Sequence, residues 1–155
     1  MTIYIECIPD EVLVRLLTGL PKRQIVHEYK GKAEILKRLS GQTDRRAMVD
    51  EDPHSVVPPY LGRMSVSSNR PSLGLRIYDD PARRNRVIVL RPKLEDWILA
   101  TARDSDIDAR DFGLFDNPER LHRHINADIV KFERMLTALA DTSSRRLQAL
   151  RELLL

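Results

Sequence analysis

The sequence predicts an α/β fold in which a mainly parallel sheet is flanked by helices and followed by a C-terminal helical segment. Strand-like and helix-like segments alternate through residues 3–52, and apolar residues recur at helical spacing through the last third of the chain. Such alternation is typical of parallel strands joined by right-handed helical crossovers. With 155 residues, of which 42% are hydrophobic, the chain is long enough to bury a core.

The first strand and helix follow from local composition. Ile3-Tyr4-Ile5 is β-branched and aromatic, which is typical of a short buried strand. Pro9-Asp10-Glu11 indicates a helix start, because proline suits the first turn and acidic residues suit the positive end of the helix dipole. Gly19 indicates the end of this helix.

The next elements continue the alternation. Residues 24–27 predict a second strand, and residues 35–39 predict one apolar face of a second helix that ends at Gly41. Residues 46–49 predict a third strand. Pro53 prevents the strand from continuing, since proline cannot donate a ladder hydrogen bond.

The middle of the chain predicts a loop and a hairpin. Residues 53–72 are rich in Pro, Ser and Asn and predict a loop, with a short helix near Tyr60–Leu61. Leu73–Tyr78 and Arg86–Leu90 predict two strands. The turn-forming residues between 79 and 85 indicate that these two strands form a hairpin.

The remaining segments are predicted to be helical. Pro92 introduces a helix over Leu94–Ala102, and Ser143 or Ser144 is expected to cap a final helix. We predict one α/β domain over residues 1–105, with helices over 106–155 packed on it or extending it. The apolar stripes of these last helices are most simply core, and a dimer or partner-protein surface is the alternative. They comprise Leu121, Ile125, Ile129, Phe132, Leu136, Leu139, Leu147, Leu150 and Leu154.

Three carboxylates lie directly after predicted strands. Glu6 follows the first strand, and Asp50 and Asp52 follow the third. In a parallel sheet these residues share the edge at which α/β folds bind ligands. In an extended segment Asp50 and Asp52 point to the same side, where they repel each other unless a cation lies between them. The pattern therefore predicts a magnesium site, while helix capping by the aspartates and ion pairing by Glu6 remain alternatives for each residue alone.

This arrangement resembles the Toprim fold, a family that includes topoisomerases, bacterial primases and the overcoming-lysogenisation-defect nucleases. The resemblance covers about the first hundred residues: a strand ending at Glu6, a helix start at Pro9-Asp10-Glu11, and a later strand followed by Asp50-Glu51-Asp52. Among these relatives the nuclease type is nearest in style. Cys7 stands where the family usually has glycine.

The resemblance implies a Toprim/Rossmann-like fold with carboxylate-bound Mg²⁺ or Mn²⁺ acting on phosphodiesters. Asp50 and Asp52 would be the main ligands, and Glu6 would be a ligand or general base. Glu95, at the start of a late helix, would join them as a further ligand; its alternative role is to complement the helix dipole.

Two further residues are candidates for substrate contact. Lys32 follows Gly31 at a helix start, where backbone amides favour a phosphate, and His27 ends the second strand toward the same edge. An exposed lysine and a half-buried structural histidine are the alternatives.

The first functional prediction is a Mg²⁺-dependent nuclease-like enzyme acting on nucleic acid. A catalytically degenerate module that binds metal, nucleic acid or a partner protein is the second, and a phosphoryl-transfer enzyme with Asp50 as nucleophile is the third. The net charge of +3 permits nucleic-acid binding, and arginine clusters would support it if they shared a face with the carboxylates. The single cysteine and the lack of a membrane-length apolar stretch predict a cytoplasmic protein with no membrane partner.

Overall fold

The computed structural model describes residues 1–155. Six strands form one sheet: β1 (Thr2–Ile5), β2 (Ile25–His27), β3 (Arg45–Asp50), β4 (Ser65–Arg70), β5 (Leu75–Asp80) and β6 (Asn85–Leu90). Seven α-helices accompany it: α1 (Ile8–Thr18), α2 (Lys32–Ser40), α3 (Pro59–Arg63), α4 (Leu94–Asp104), α5 (Pro118–His124), α6 (Ile129–Ala140) and α7 (Arg145–Leu154). The predicted α/β fold, including its C-terminal helices, is confirmed.

The sheet has a parallel half and an antiparallel half. Its strand order is β2-β1-β3-β6-β5-β4. The pairs β1–β2, β1–β3 and β3–β6 are parallel, whereas β5 pairs antiparallel with both β6 and β4. The predicted hairpin between β5 and β6 is therefore confirmed. We call the edge at which β1, β3 and β6 end the carboxyl edge, and the edge at which β3 and β6 begin the amino edge.

Two apolar cores lie on opposite faces of the sheet. The larger core packs α1 and α4 against the sheet together with α6 and α7, so the C-terminal helices share one core with the α/β part. The smaller core lies beneath α2 and α3. Strand residues alternate between the two cores: Met48 and Ile88 belong to the larger one, and Val49 and Val89 belong to the smaller one.

Two helix boundaries follow the predicted capping residues. Gly19 has φ of +68° just after α1 and donates its N–H to the Arg15 carbonyl, a left-handed conformation that favours glycine. The Ser144 hydroxyl oxygen accepts the Leu147 N–H at 3.3 Å and so caps α7. The short helix predicted near Tyr60–Leu61 is confirmed as α3.

The prediction of a loop over residues 53–72 is wrong in its second half. Ser65–Arg70 forms β4, and Pro71–Leu73 is a short 3₁₀ helix, so β5 begins at Leu75 rather than Leu73. β4 lies at the sheet edge and most of its side chains are exposed, which explains why its sequence shows no apolar alternation. Its backbone bonds to β5, and periodicity of side chains does not report such pairing.

None of the helices has the combination of length and apolar character that a membrane crossing requires.

Candidate active site

The carboxyl edge brings Glu6 and Asp50 together, as predicted. β1 and β3 are parallel neighbours, so Glu6, just after β1, lies beside Asp50 at the end of β3. The Asp50 N–H donates to Glu6 Oε1 at 2.9 Å. Burial raises the pKa of Glu6, although the backbone hydrogen bond from Asp50 partly opposes this effect.

Asp50 links β3 to the start of α4. Its Oδ1 accepts the Leu94 N–H at 2.8 Å, at the positive end of that helix. This contact by itself favours the ionised form of the carboxyl group. Burial nevertheless raises the pKa of Asp50 to about 9, and the nearby charges of Asp10 and Glu6 add to the increase. A proton or a cation therefore stabilises Asp50 in the folded protein.

Asp10 is a third member of this cluster, although its position in the sequence indicates only a complement to the helix dipole. Its side chain is 4% exposed, and Oδ2 accepts the N–H groups of Cys7 at 3.1 Å and Glu6 at 3.2 Å. Burial raises the pKa of Asp10 to about 7. The signal in the sequence is the spacing between Cys7 and Asp10, since an acid three residues after a helix cap can reach back to the cap N–H.

Cys7 does not need the conformational freedom of the glycine found in the Toprim family. Its φ is −146° and its ψ is 170°, an extended conformation that any residue adopts. Burial raises the pKa of the Cys7 thiol, so the group is uncharged. The difference from the family pattern therefore introduces no backbone strain at the candidate site.

The expected extended conformation of Asp50-Glu51-Asp52 is wrong. β3 ends at Asp50, and Asp52 has φ of +46° in the turn before Pro53. The carboxylate of Asp52 lies 3.6 Å from Lys93 Nζ and 4.0 Å from Lys32 Nζ. Asp52 is consequently balanced by two lysines, whereas the cluster of Glu6, Asp10 and Asp50 is dominated by like charges and burial.

Glu95 lies at the start of α4 and affects the site electrostatically. It is 5% exposed, and its Oε1 lies 2.9 Å from His122 Nδ1 of α5. The negative charge of Glu95 is one of those that raise the pKa of Asp50. His122 was not a predicted site residue, because nothing in its spacing indicates that α5 folds back onto α4.

Lys32 and His27 hold the backbone of the carboxyl edge. Lys32 Nζ donates to the carbonyl oxygens of Asp50 at 3.0 Å and Glu51 at 2.8 Å. His27 Nε2 lies 2.8 Å from the Glu6 carbonyl oxygen, and its ring centroid is 4.0 Å from that of Tyr29. Both side chains position the strand ends that carry Glu6 and Asp50.

The donors at this edge fit a hard cation in chemistry but do not form a preformed cage. No three His, Cys, Asp or Glu side chains are arranged so that they could hold a metal ion together. Mg²⁺ is nevertheless commonly bound by one or two carboxylates, with water and phosphate oxygens completing its octahedron. Asp50 uses only Oδ1 to accept a backbone N–H, which leaves its second oxygen for a ligand. The Glu6 carboxylate interacts with the backbone N–H groups of both Asp50 and Lys32 and would bind a cation through its remaining lone pairs.

A cavity of about 240 Å³ lies next to the acidic residues, and Arg76 of β5 lines it together with Asp50 and Asp52. Arg76 was not a predicted site residue. It alternates with the buried Leu75 and Ile77, which is the ordinary pattern of a half-buried strand, so the sequence carries no functional signal there.

The arginine clusters Arg45–Arg46 and Arg83–Arg84–Arg86 lie away from the carboxylates. Arg45–Arg46 and Arg86 are at the amino edge, because β3 and β6 begin there in parallel register. Four residues of extended strand, about 13 Å, separate Arg46 from Asp50. These clusters therefore do not share the carboxyl edge with the candidate metal ligands.

Comparison of the chain with protein-family models, with curated proteins and with solved structures finds no match. The Toprim resemblance stays a prediction that rests on the residues quoted for it.

Proposed function

We propose that the protein is a Toprim-like, Mg²⁺- or Mn²⁺-dependent enzyme that cleaves phosphodiester bonds in nucleic acid. The observation that carries the proposal is the group formed by Glu6, Asp10 and Asp50 at the carboxyl edge. Burial and like charges raise the pKa of each carboxyl group. Three neighbouring buried carboxyl groups lower the stability of the fold, whereas a bound cation would stabilise them.

The residues have distinct roles in this proposal. Asp50 and Glu6 hold the cation, and Asp52 and Glu95 support it from the adjoining loop and helix. When bound, the cation supplies Lewis-acid stabilisation of the charge on the phosphate oxygens. Glu6 is also suited to accept a proton, because burial raises its pKa and makes it a stronger base than an ordinary glutamate.

The second candidate is a catalytically degenerate module that binds metal or nucleic acid and acts through a partner. Two observations favour it: Asp52 is paired with two lysines, and no three side chains form a preformed cation site. A role for Asp50 as a phosphoryl-accepting nucleophile is less well supported, since its raised pKa favours the protonated form and Leu94 occupies one oxygen.

The setting of the protein is part of the proposal. The free thiol of Cys7 is consistent with a reducing compartment such as the cytoplasm. A homodimer or a partner protein on the C-terminal helices is also part of the proposal, and it would cover Val130 of α6, which is 68% exposed.

Calorimetric titration with Mg²⁺ and Mn²⁺ tests the proposal, together with cleavage of mixed DNA and RNA in the same metal. The wild type is compared with the double variant Asp50→Ala/Asp52→Ala, and Asp44→Ala at the amino edge is the matched control. We expect the double variant to lose both metal binding and cleavage while the control keeps both. Metal binding without cleavage by the wild type would favour the degenerate module, and a wild type that binds no metal would overturn the proposed metal-dependent enzyme.

A further inference from the structure

The cavity beside the carboxyl edge lies on the face of the sheet that α2 and α3 cover. Arg76 and Tyr78 of β5 line it, together with Lys32 at the start of α2 and Ser55 of the loop after β3. Its volume is about 240 Å³. Binding sites for whole small molecules typically begin at about 300 Å³, so this cavity suits a small group better than a complete nucleotide.

Arg76 is the basic residue of this cavity whose side chain has no hydrogen-bond partner within the protein. Five of the seven half-buried arginines donate hydrogen bonds within the protein, and Arg46 and Arg76 are the two that have no such partner. The donors of Arg76 are open to solvent and free of protein acceptors, and their planar arrangement matches an oxyanion. Lys32 is different, because its ammonium group already donates to Asp50, Glu51 and Ser55.

The acidic residues of the cavity wall do not require Arg76 as a partner. Glu51 forms an ion pair with Arg91, and Asp52 lies within 4.0 Å of both Lys32 and Lys93. The positive charge of Arg76 is therefore available to a ligand. The Tyr78 hydroxyl has no hydrogen-bond partner in the structure and lines the same space.

We propose that this cavity is a phosphate-binding site in which the Arg76 guanidinium, with the Tyr78 hydroxyl, binds one phosphate group of the substrate. The inference rests on the proposed function, because the phosphate is taken to belong to a nucleic-acid strand whose neighbouring phosphodiester lies at Glu6 and Asp50. A planar guanidinium binds two phosphate oxygens at once, which lysine cannot do.

The test is an NMR titration of the whole chain with inorganic phosphate and, separately, with a dinucleoside monophosphate. The variants are Arg76→Gln, Arg76→Lys and Arg46→Gln. Arg46 is the matched control because it is also half-buried and without a hydrogen-bond partner but lies at the amino edge. We expect Arg76→Gln to weaken phosphate affinity at least tenfold, Arg76→Lys to weaken it less, and Arg46→Gln to change it less than twofold.

Equal weakening by Arg76→Gln and Arg46→Gln would overturn the site, because it would show only a long-range effect of charge. Absence of phosphate-induced shifts at β5 in the wild type would also overturn it. If Arg76→Gln does not fold, Arg76→Lys decides: reduced affinity with a native spectrum supports the site, and unchanged affinity for both probes overturns it.

Cleavage assays separate this inference from the proposed function. Metal-dependent cleavage with an unchanged KM in Arg76→Gln would overturn the phosphate site and leave the function standing. Phosphate binding that depends on Arg76 in a wild type that neither binds metal nor cleaves would support the site and overturn the function.

Discussion

The pKa values of the aspartates are shifted in opposite directions at the two edges of the parallel strands. At the amino edge, hydrogen bonds from Arg84 and Arg86 lower the pKa of Asp44 and Asp79, respectively. At the carboxyl edge, burial raises the pKa of Asp10 to about 7 and that of Asp50 to about 9, and acidic neighbours add to both. The amino edge pairs Asp44 and Asp79 with arginines, whereas Asp10 and Asp50 at the carboxyl edge lie beside other acids; Asp52, which two lysines balance, is the exception there.

This difference separates structural carboxylates from functional candidates. An aspartate that has an arginine partner is satisfied by folding alone and needs no ligand. A buried aspartate among other acids lowers the stability of the metal-free fold, so its presence indicates a requirement other than stability. The proposed active site is therefore assigned to the carboxyl edge, and each of the following experiments tests that assignment.

The largest expected effect is on catalysis. Glu6→Gln should lower metal-dependent cleavage about 100-fold or more, corresponding to about 2.7 kcal/mol, because an amide is a poor cation ligand. Its Oε1 can still accept the Asp50 N–H, so the fold should persist. Asp44→Asn at the amino edge is the control and should cleave like the wild type. Equal cleavage by Glu6→Gln and the wild type would remove Glu6 from the site.

The next effect is on the pH dependence of stability without metal. The pKa values of Asp10 and Asp50 are higher in the folded state than the ordinary value of 3.8, so the folded state binds more protons than the unfolded state above about pH 4. Stability should therefore fall as pH rises, through about pH 7 for Asp10 and about pH 9 for Asp50. Each carboxyl group contributes a slope of about −1.4 kcal/mol per pH unit within its range.

Urea unfolding at pH 5, 7 and 9 measures this slope. Asp50→Asn should flatten it, and saturating Mg²⁺ should flatten it in the wild type. Asp79→Asn is the amino-edge control, and since the pKa of Asp79 is lowered, its contribution is lost only in acid and the slope above pH 5 should remain. A wild type that is more stable at pH 9 than at pH 5 would contradict the raised pKa values.

A smaller effect is expected on stability alone at the amino edge. Asn85 is 2% exposed; its Nδ2 donates to the Leu39 and Gln42 carbonyls, and its Oδ1 accepts the Arg45 N–H. Asn85→Ala should lower the free energy of unfolding by about 3 kcal/mol, because it leaves buried backbone groups without partners. Metal binding should not change, as measured by calorimetry. Loss of metal affinity in a folded Asn85→Ala protein would show that the two edges are coupled.

The smallest effect is expected for the exposed ion pair between Arg84 and Asp44. Both Arg84 donor atoms lie 2.6 Å from the Asp44 carboxylate, but both side chains are largely in solvent. Arg84→Ala should leave the melting temperature and cleavage unchanged, since exposed pairs contribute little. A marked fall in melting temperature would show that the amino edge depends on this pair.

Much of the fold could be predicted from local patterns. The parallel half follows from short apolar strands between amphipathic helices, and Gly19 and Ser144 act as the predicted capping residues. β4 could not be predicted in this way. Its stability comes from backbone pairing with β5 at an exposed edge, so its side chains show no apolar period.

The candidate site could be predicted only in part. Glu6 and Asp50 were recognisable because both follow buried strands of one parallel sheet. Asp10 and Arg76 could not be recognised from the sequence. Asp10 has the pattern of an ordinary acid at a helix start, and Arg76 has that of an outward-facing strand residue. Asp52 was assigned the wrong geometry, since the local sequence does not report its φ of +46°.

The sequence by itself determined which segments are strands and helices in the parallel half and that two of its strands end in carboxylates. These features depend on neighbouring residues along the chain, through propensity, period and capping. Only the tertiary structure decided which carboxylates remain without a basic partner, because burial and charge depend on residues distant in sequence. Lys32 and Lys93 balance Asp52, while Asp10 approaches Asp50, and this difference in surroundings distinguishes the two aspartates.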